Sequence, residues 1–309
     1  MKFATSLFLT ITLVASIVTS CTVRSESGST PAETEQATPP TFNEYWYAGK
    51  AEISSYRLEQ ARYGGIHEGN AVLIFVTEDF SKSKQVKLDR PKMAGEDRAP
   101  ILKMNQTKKF LTGIYPYSLM TSVFTPVKAS QAPLKVSTTS QEWCGHTFMQ
   151  VNKAETGYDV RQFSYFESEG DQSFNLPEAI LEDNLWNQIR LAPEKLPTGK
   201  LTIIPGTFHA RLKHRDFRAL AAIATLTEEG STSTYSLEYP TENRSLNITF
   251  NAVFPHEIQS WEETIVSGWG PGAKKLTTKA TLMKRIQTAY WSQNGVGDRK
   301  IRGQLDLPF

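Results

Sequence analysis

Two short stretches constrain the fold more than anything else in the chain. Tyr235-Ser236-Leu237-Glu238-Tyr239 and Leu246-Asn247-Ile248-Thr249-Phe250 alternate large apolar and polar residues strictly. Successive side chains of a strand point to opposite faces, so each segment buries one face and wets the other only as a strand. Residues 70–77 form a β-branched and aromatic run bounded by Gly69 and Glu78-Asp79. Residues 134–139, 143–152 and 158–166 read as three more strands, the last two joined by the turn Ala154-Glu155-Thr156-Gly157. Residues 219–226 are apolar and read as a strand, because hairpin-like segments follow. Residues 281–291 and 300–307 are expected to close a hairpin across Gly295-Val296-Gly297. One helix stands out. Pro177 suits a first helical position, Glu178, Glu182 and Asp183 suit its positive end, and Ile180, Leu181, Leu185, Trp186 and Ile189 have helical spacing up to Pro193. The fold class expected is mainly β: an antiparallel curved sheet, partial barrel or two-lobed sandwich, with one or two helices.

The first twenty residues follow a different logic. Lys2 is followed by an uncharged, mostly apolar run from Phe3 to Val18, the pattern of a signal peptide. Val18-Thr19-Ser20-Cys21 resembles the bacterial lipobox. That resemblance implies cleavage before Cys21 and acylation of its thiol and its new amine, palmitate being one such chain. One acyl chain binds a membrane marginally, at about 0.8 kcal/mol per buried methylene, whereas several anchor it stably. Thr22 stands where an Asp resembles an inner-membrane retention signal, and no acidic cluster follows. The expected location is therefore the outer membrane, facing the periplasm. Residues 22–41 are rich in Ser, Thr, Glu and Pro and read as a disordered tether. The organisation expected is a signal peptide over 1–20, lipidated cysteine and tether over 21–41, and a β-rich region over 42–309, as one large or two small domains.

Charge and cysteine usage narrow the partners. Removing residues 1–20 removes Lys2 and no acid, which takes 34 basic residues to 33 against 32 acidic, a formal charge of about +1. That balance gives no argument for nucleic acid. Once Cys21 is lipidated only Cys144 remains, so no intramolecular disulfide can form and packing must hold the fold.

Glu142-Trp143-Cys144-Gly145-His146 is the most suggestive cluster. On a continuous strand, Glu142, Cys144 and His146 share a face, where thiol and imidazole can form a nucleophilic pair or, with the carboxylate, a metal site. The competing reading is a Cys144 packed in the core as a small hydrophobe, and it is the one preferred. No metal and no cofactor is expected. Arg211, Lys213, His214, Arg215 and Arg218 form a basic run, read either as a solvated loop or as a docking patch for anionic headgroups or a protein. His209 and His214, five apart, fall on opposite faces of a strand. Tyr45-Trp46-Tyr47 is expected to pack against the first strand, and Gly64-Gly65 and Gly69 look like turn glycines.

Several segments together resemble an uncharacterised family of Gram-negative lipoproteins. They are Tyr45-Trp46-Tyr47-Ala48-Gly49-Lys50-Ala51-Glu52-Ile53, Arg62-Tyr63-Gly64, Glu68-Gly69, Phe75-Val76-Thr77-Glu78-Asp79-Phe80 and Glu142-Trp143-Cys144-Gly145. The resemblance covers nearly the whole chain after Cys21 and brings no established activity. Some relatives carry the label septum-formation inhibitor Maf, but the phosphate loop of Maf proteins, of the type S-x-S-P-R-R, has no counterpart here. A second, weaker analogy is to carriers with a half-barrel around an apolar cavity. The function expected is a non-enzymatic envelope component that meets the membrane through its lipid anchor and binds a lipid or a protein. The alternative is a periplasmic enzyme or metal-binding protein using Glu142, Cys144 and His146.

Overall fold

In a computed structural model, residues 40–128 and 131–308 are described. They are mainly β and form one curved, non-closed sheet of fifteen strands. A short helix, α1 (Phe42–Trp46), precedes the sheet, its N-cap Thr41 closing a capping box with Glu44. The first arm comprises β1 (Ala51–Arg62), β2 (Gly65–Ser81), β3 (Arg98–Thr112), β4 (Tyr115–Pro126), β5 (Lys135–Glu142), β6 (Gly145–Lys153), β7 (Tyr158–Ser164) and β8 (Gln172–Leu176). The second comprises β9 (Ile180–Leu181), β10 (Gly199–Ile204), β11 (Leu220–Glu229), β12 (Thr232–Tyr239), β13 (Arg244–Asn251), β14 (Ile258–Ser267) and β15 (Lys274–Thr288). Within each arm consecutive strands are neighbours, and β1 pairs with β15 to join the arms. All pairs are antiparallel except β9 with β10.

The chain length between β8 and β9 dictates the curvature. These are the two edge strands, and only Pro177, Glu178 and Ala179 separate them. Four residue steps span at most roughly 14 Å. A flat sheet would hold the edges fourteen strand spacings apart, roughly 67 Å. The sheet therefore curls until its edges nearly meet, as an open barrel.

Alternation along the strands builds the interior. Ala71, Leu73 and Phe75 of β2 are fully buried on the inner face, and β12 and β13 contribute Tyr235, Leu237, Leu246, Ile248 and Phe250. Two helices fill the space these residues surround. The helix α2 (Leu185–Leu191) lies in the crossover between β9 and β10, and α3 (Thr207–Lys213) lies between β10 and β11. Leu185, Trp186 and Ile189 of α2, with Phe208 and Ala210 of α3, belong to the same apolar core as the strands.

The interior also carries charge. Arg190 of α2 is fully buried and donates to both carboxylate oxygens of Glu52 on β1, one at 2.6 Å, and to the Pro255 carbonyl at 2.9 Å. Its guanidinium lies over the rings of Trp46 and Phe75. Glu182 accepts two hydrogen bonds from Arg244 and one from the Tyr239 hydroxyl, and Arg244 reaches on to Glu263 at 2.7 Å. Buried charges survive in a dry interior only when paired in this way.

Several expectations need correction. The helix expected from Pro177 up to Pro193 forms only in its second half, as α2. Ile180 and Leu181 instead extend as β9 alongside Ile203 and Ile204, and Glu182–Asn184 make a 3-10 turn before α2 begins. Strand pairing and the Glu182–Arg244 ion pair outweigh helical spacing there. Residues 300–307 do not return as a strand. Val296–Leu305 is a 3-10 segment whose Leu305, with Leu307, packs on Ile53 and Val76 of the outer face. Gly69 is a strand residue, not a turn residue. A Cβ at that position would lie 2.1 Å from the Lys109 carbonyl, so only glycine fits. Of the two arrangements expected, one large domain or two small ones, the described residues with their unbroken sheet form one compact unit. The signal peptide, Cys21 and almost all of the tether lie outside the described residues.

Candidate functional site

One end of the open barrel gathers the turns after β1, β3, β5, β7 and β14, together with α3. The chain arrives at the opposite end, through α1. Tyr63 and Gly64 form the β1–β2 turn, both with positive φ, 51° and 75°. Two-residue turns of this hand match the twist of a hairpin, and they favour Asn and Gly; a tyrosine there is strained. Tyr63 nevertheless joins an aromatic row, between Trp269 and Tyr117. Its ring lies 5.5 Å from Trp269 of the β14–β15 turn and 6.5 Å from Tyr117 of β4. Tyr117 lies 5.9 Å from Tyr115, and Tyr115 stacks on Trp143 at 6.2 Å. Arg62 fixes the centre. Its guanidinium sits 4.4 Å from the Tyr63 ring centroid and donates to the Tyr63 and Tyr117 hydroxyls at 3.3 and 3.2 Å and to the Leu212 carbonyl. Burial raises the hydroxyl pKa of both tyrosines, so they remain neutral donors.

Below the row lies a cleft of about 210 Å³. It brings together residues from both sequence clusters: Glu142 and Cys144 on one wall, Arg211 and His214 on another. Arg211 is not in a solvated loop. It is buried on α3 and donates to Glu169 at 2.8 Å, while His214, the left-handed cap of that helix, meets the other oxygen of Glu169 at 2.7 Å. Against the opposing effect of burial, Ser164, Arg211 and His214 hold the Glu169 carboxyl below its ordinary pKa. The rest of the basic run disperses. Lys213 donates to the Val266 carbonyl, Arg215 faces Glu242 at 3.7 Å, and Arg218 is exposed beside a separate shallow pocket. The four cations therefore do not make one docking patch. His209 and His214 lie on and at the end of a helix, not on a strand; His209 meets Glu263 at 3.3 Å.

The Glu142, Cys144 and His146 trio is split. Glu142 pairs with Gly145 across the hairpin, so Trp143 and Cys144 are the turn itself. Glu142 and Cys144 line the cleft, whereas His146 is exposed on β6 and is not among the residues lining it. Cys144 is exposed, not packed in the core. Its backbone N–H donates to Glu142 at 2.7 Å, and the same carboxylate raises the thiol pKa through a hydrogen bond to the neutral form and through its charge. Such a thiol is a poor nucleophile. Among the described residues no group of three His, Cys, Asp or Glu side chains could hold a metal.

A larger cavity, about 350 Å³, lies on the outer face between β1, β2, β3, β15 and the C-terminal 3-10 segment. Val72, Ile74 and Ile286 form its floor, Ile301, Leu305 and Leu307 its cover, with Lys109 and Arg302 at the rim. The barrel interior, by contrast, is occupied by α2, α3 and their ion pairs, so the greasy cavity of the carrier analogy is not inside. No helix of the described residues is long and apolar enough to cross a membrane.

Fold and sites together define an open β-barrel plugged by two helices, with an apolar pocket outside and an aromatic cleft at one end. No family model, curated protein or solved structure matches the chain.

Proposed function

We propose that the protein is a non-enzymatic envelope component, held to the outer membrane by lipid on Cys21 and facing the periplasm, that binds the aliphatic part of a lipid. The observation that carries this reading is the apolar pocket on the outer face. Its volume of about 350 Å³ falls in the range of small-molecule sites, roughly 300–1,000 Å³. Seven of its fifteen lining residues are Ile, Leu or Val, and each methylene buried against them gains about 0.8 kcal/mol. Lys109 and Arg302, against one acid, Asp298, suit an anionic headgroup. The sequence resemblances supply the anchor and the compartment. The enzymatic alternative loses the shared strand face on which Glu142, Cys144 and His146 would have acted.

The test is a titration of a fluorescent fatty acid into the purified full chain. Saturable binding displaced by unlabelled palmitate is expected. Val72→Trp fills the pocket and should weaken binding at least about tenfold, 1.4 kcal/mol, with Tm unchanged. Absence of saturable binding, or binding that ignores Val72→Trp, overturns the reading.

A further inference from the structure

We infer that the aromatic cleft at the turn end of the barrel is a binding site for a linear, uncharged glycan. Four observations carry it, and none depends on the outer pocket. The first is the row itself. Trp269, Tyr63, Tyr117, Tyr115 and Trp143 follow one another at ring separations of 5.5, 6.5, 5.9 and 6.2 Å, drawn from four different hairpins. Trp269, Trp143 and Tyr63 are 73%, 68% and 39% exposed, while Tyr117 between them is buried and fixes the row to the core. Exposed aromatic faces gathered at one end of the barrel in this way mark a binding surface.

The second is the chemistry between the rings. The cleft beneath holds the Tyr63 and Tyr117 hydroxyls, the Arg62 and Arg211 guanidiniums and the Glu142 carboxylate. A pyranose presents C–H faces to an aromatic ring and hydroxyls around its edge, which is the complement of such a wall. A lipid chain has no use for the polar edge. Opposite charges mix here, Arg62 and Arg211 against Glu142 and Glu169, so an anionic membrane surface has no basic patch to meet.

The third is unspent hydrogen-bonding capacity. Arg211 Nε and Thr147 Oγ1, on side chains that are 4% and 6% exposed, have no partner, nor has Arg62 Nε. All three residues line the cleft. Buried polar groups without partners are uncommon and costly, and three of the eight such atoms among the described residues belong to this cleft. The fourth is strain. Tyr63 occupies a left-handed turn position that Asn or Gly would fill at lower energy. The turn gives up stability to set an aromatic ring between Trp269 and Tyr117.

The strain makes the experiment decisive. Isothermal titration of the full chain with chitohexaose, cellohexaose and maltohexaose is expected to show binding of at least one. Tyr63→Asn relieves the turn and should raise Tm, yet it should weaken that binding at least about tenfold, 1.4 kcal/mol. Trp269→Ala, at an exposed turn, should weaken it with Tm unchanged. No binding of any of the three sugars overturns the proposal, as does binding that both variants leave intact. Association with phosphatidylethanolamine–phosphatidylglycerol vesicles that Trp269→Ala or Trp143→Ala abolishes would assign the row to a membrane surface instead. Val72→Trp should leave sugar binding untouched, so failure here is distinguishable from failure of the outer pocket.

Discussion

Asp183 shows how far one side chain can set the pH response of the fold. It is buried, it accepts a hydrogen bond from the Thr207 backbone at 2.9 Å, and it lies beside Glu182. Burial, reinforced by the charge of Glu182, pushes its carboxyl up to about 7. An unfolded Asp titrates near ~3.9. Between those values the folded state holds a proton that the unfolded state has released, so this group's contribution to stability falls as pH rises across that window. Glu52, Glu169 and Glu263 act in the other sense. Their ion pairs lower their pKa values, and the stability they contribute is lost as pH falls through those values. Asp183→Asn keeps an acceptor for Thr207 and removes the charge. Its melting curves should lie above the parent's at pH 8 and converge with them near pH 4. A variant that is less stable at pH 8 would refute this reading. Cys144 offers a second residue-scale test. It is exposed, so native protein should be labelled by iodoacetamide without unfolding, but slowly at neutral pH, because Glu142 keeps it a thiol. Glu142→Gln should accelerate labelling. Equal rates would show that the carboxylate is not the cause.

At the scale of elements, legibility in the sequence followed whether an element was stabilised locally. Strands β12 and β13 were readable because Tyr235, Leu237, Ile248 and Phe250 alternate with polar residues and are all buried. The hairpin at residues 154–157 was readable from its turn chemistry. The seven-residue α3 was not: its cations Arg211 and Lys213 suggested a loop, and the partner that buries Arg211 is Glu169, remote in sequence. The start of α2 was misplaced because β9 exists only by pairing with β10. The Glu142–His146 segment read as a strand because nothing local marks Trp143-Cys144 as a turn. The aromatic row was invisible for a related reason. Tyr63 and Trp269 meet only when β1 pairs with β15. What holds α2 in place is testable at this scale. Arg190→Ala leaves the Glu52 carboxylate buried with Tyr45 and, at 3.9 Å, Arg285 as its remaining partners. The expected loss is about 3–5 kcal/mol by chemical denaturation. Arg190→Met with Glu52→Gln removes both charges and should recover a large part of it. A single variant as stable as the parent would mean that the pair does not secure the helix.

The whole molecule follows from a three-residue connection between its edge strands. Because residues 177–179 must bridge β8 to β9, fifteen strands close almost to a barrel, and α2 and α3 occupy the interior. With the interior occupied, the two sites proposed for ligands lie on the outer face under the C-terminal segment and at the turn end with its aromatic row. The helix α1 lies at the end opposite that row. The sequence expectation of a mainly β, curved sheet holds; the apolar cavity that the half-barrel analogy puts inside is found instead on the outer face. The most direct test of a lipid-anchored, lipid-binding protein is native mass spectrometry of the chain released from its own envelope. The mature species should begin at an acylated Cys21 and carry a further, non-covalent adduct with the mass of an acyl lipid, and Val72→Trp should lose the adduct while keeping the acylated N-terminus. A chain that begins elsewhere without lipid, or one that carries no adduct under conditions that preserve non-covalent complexes, would contradict it.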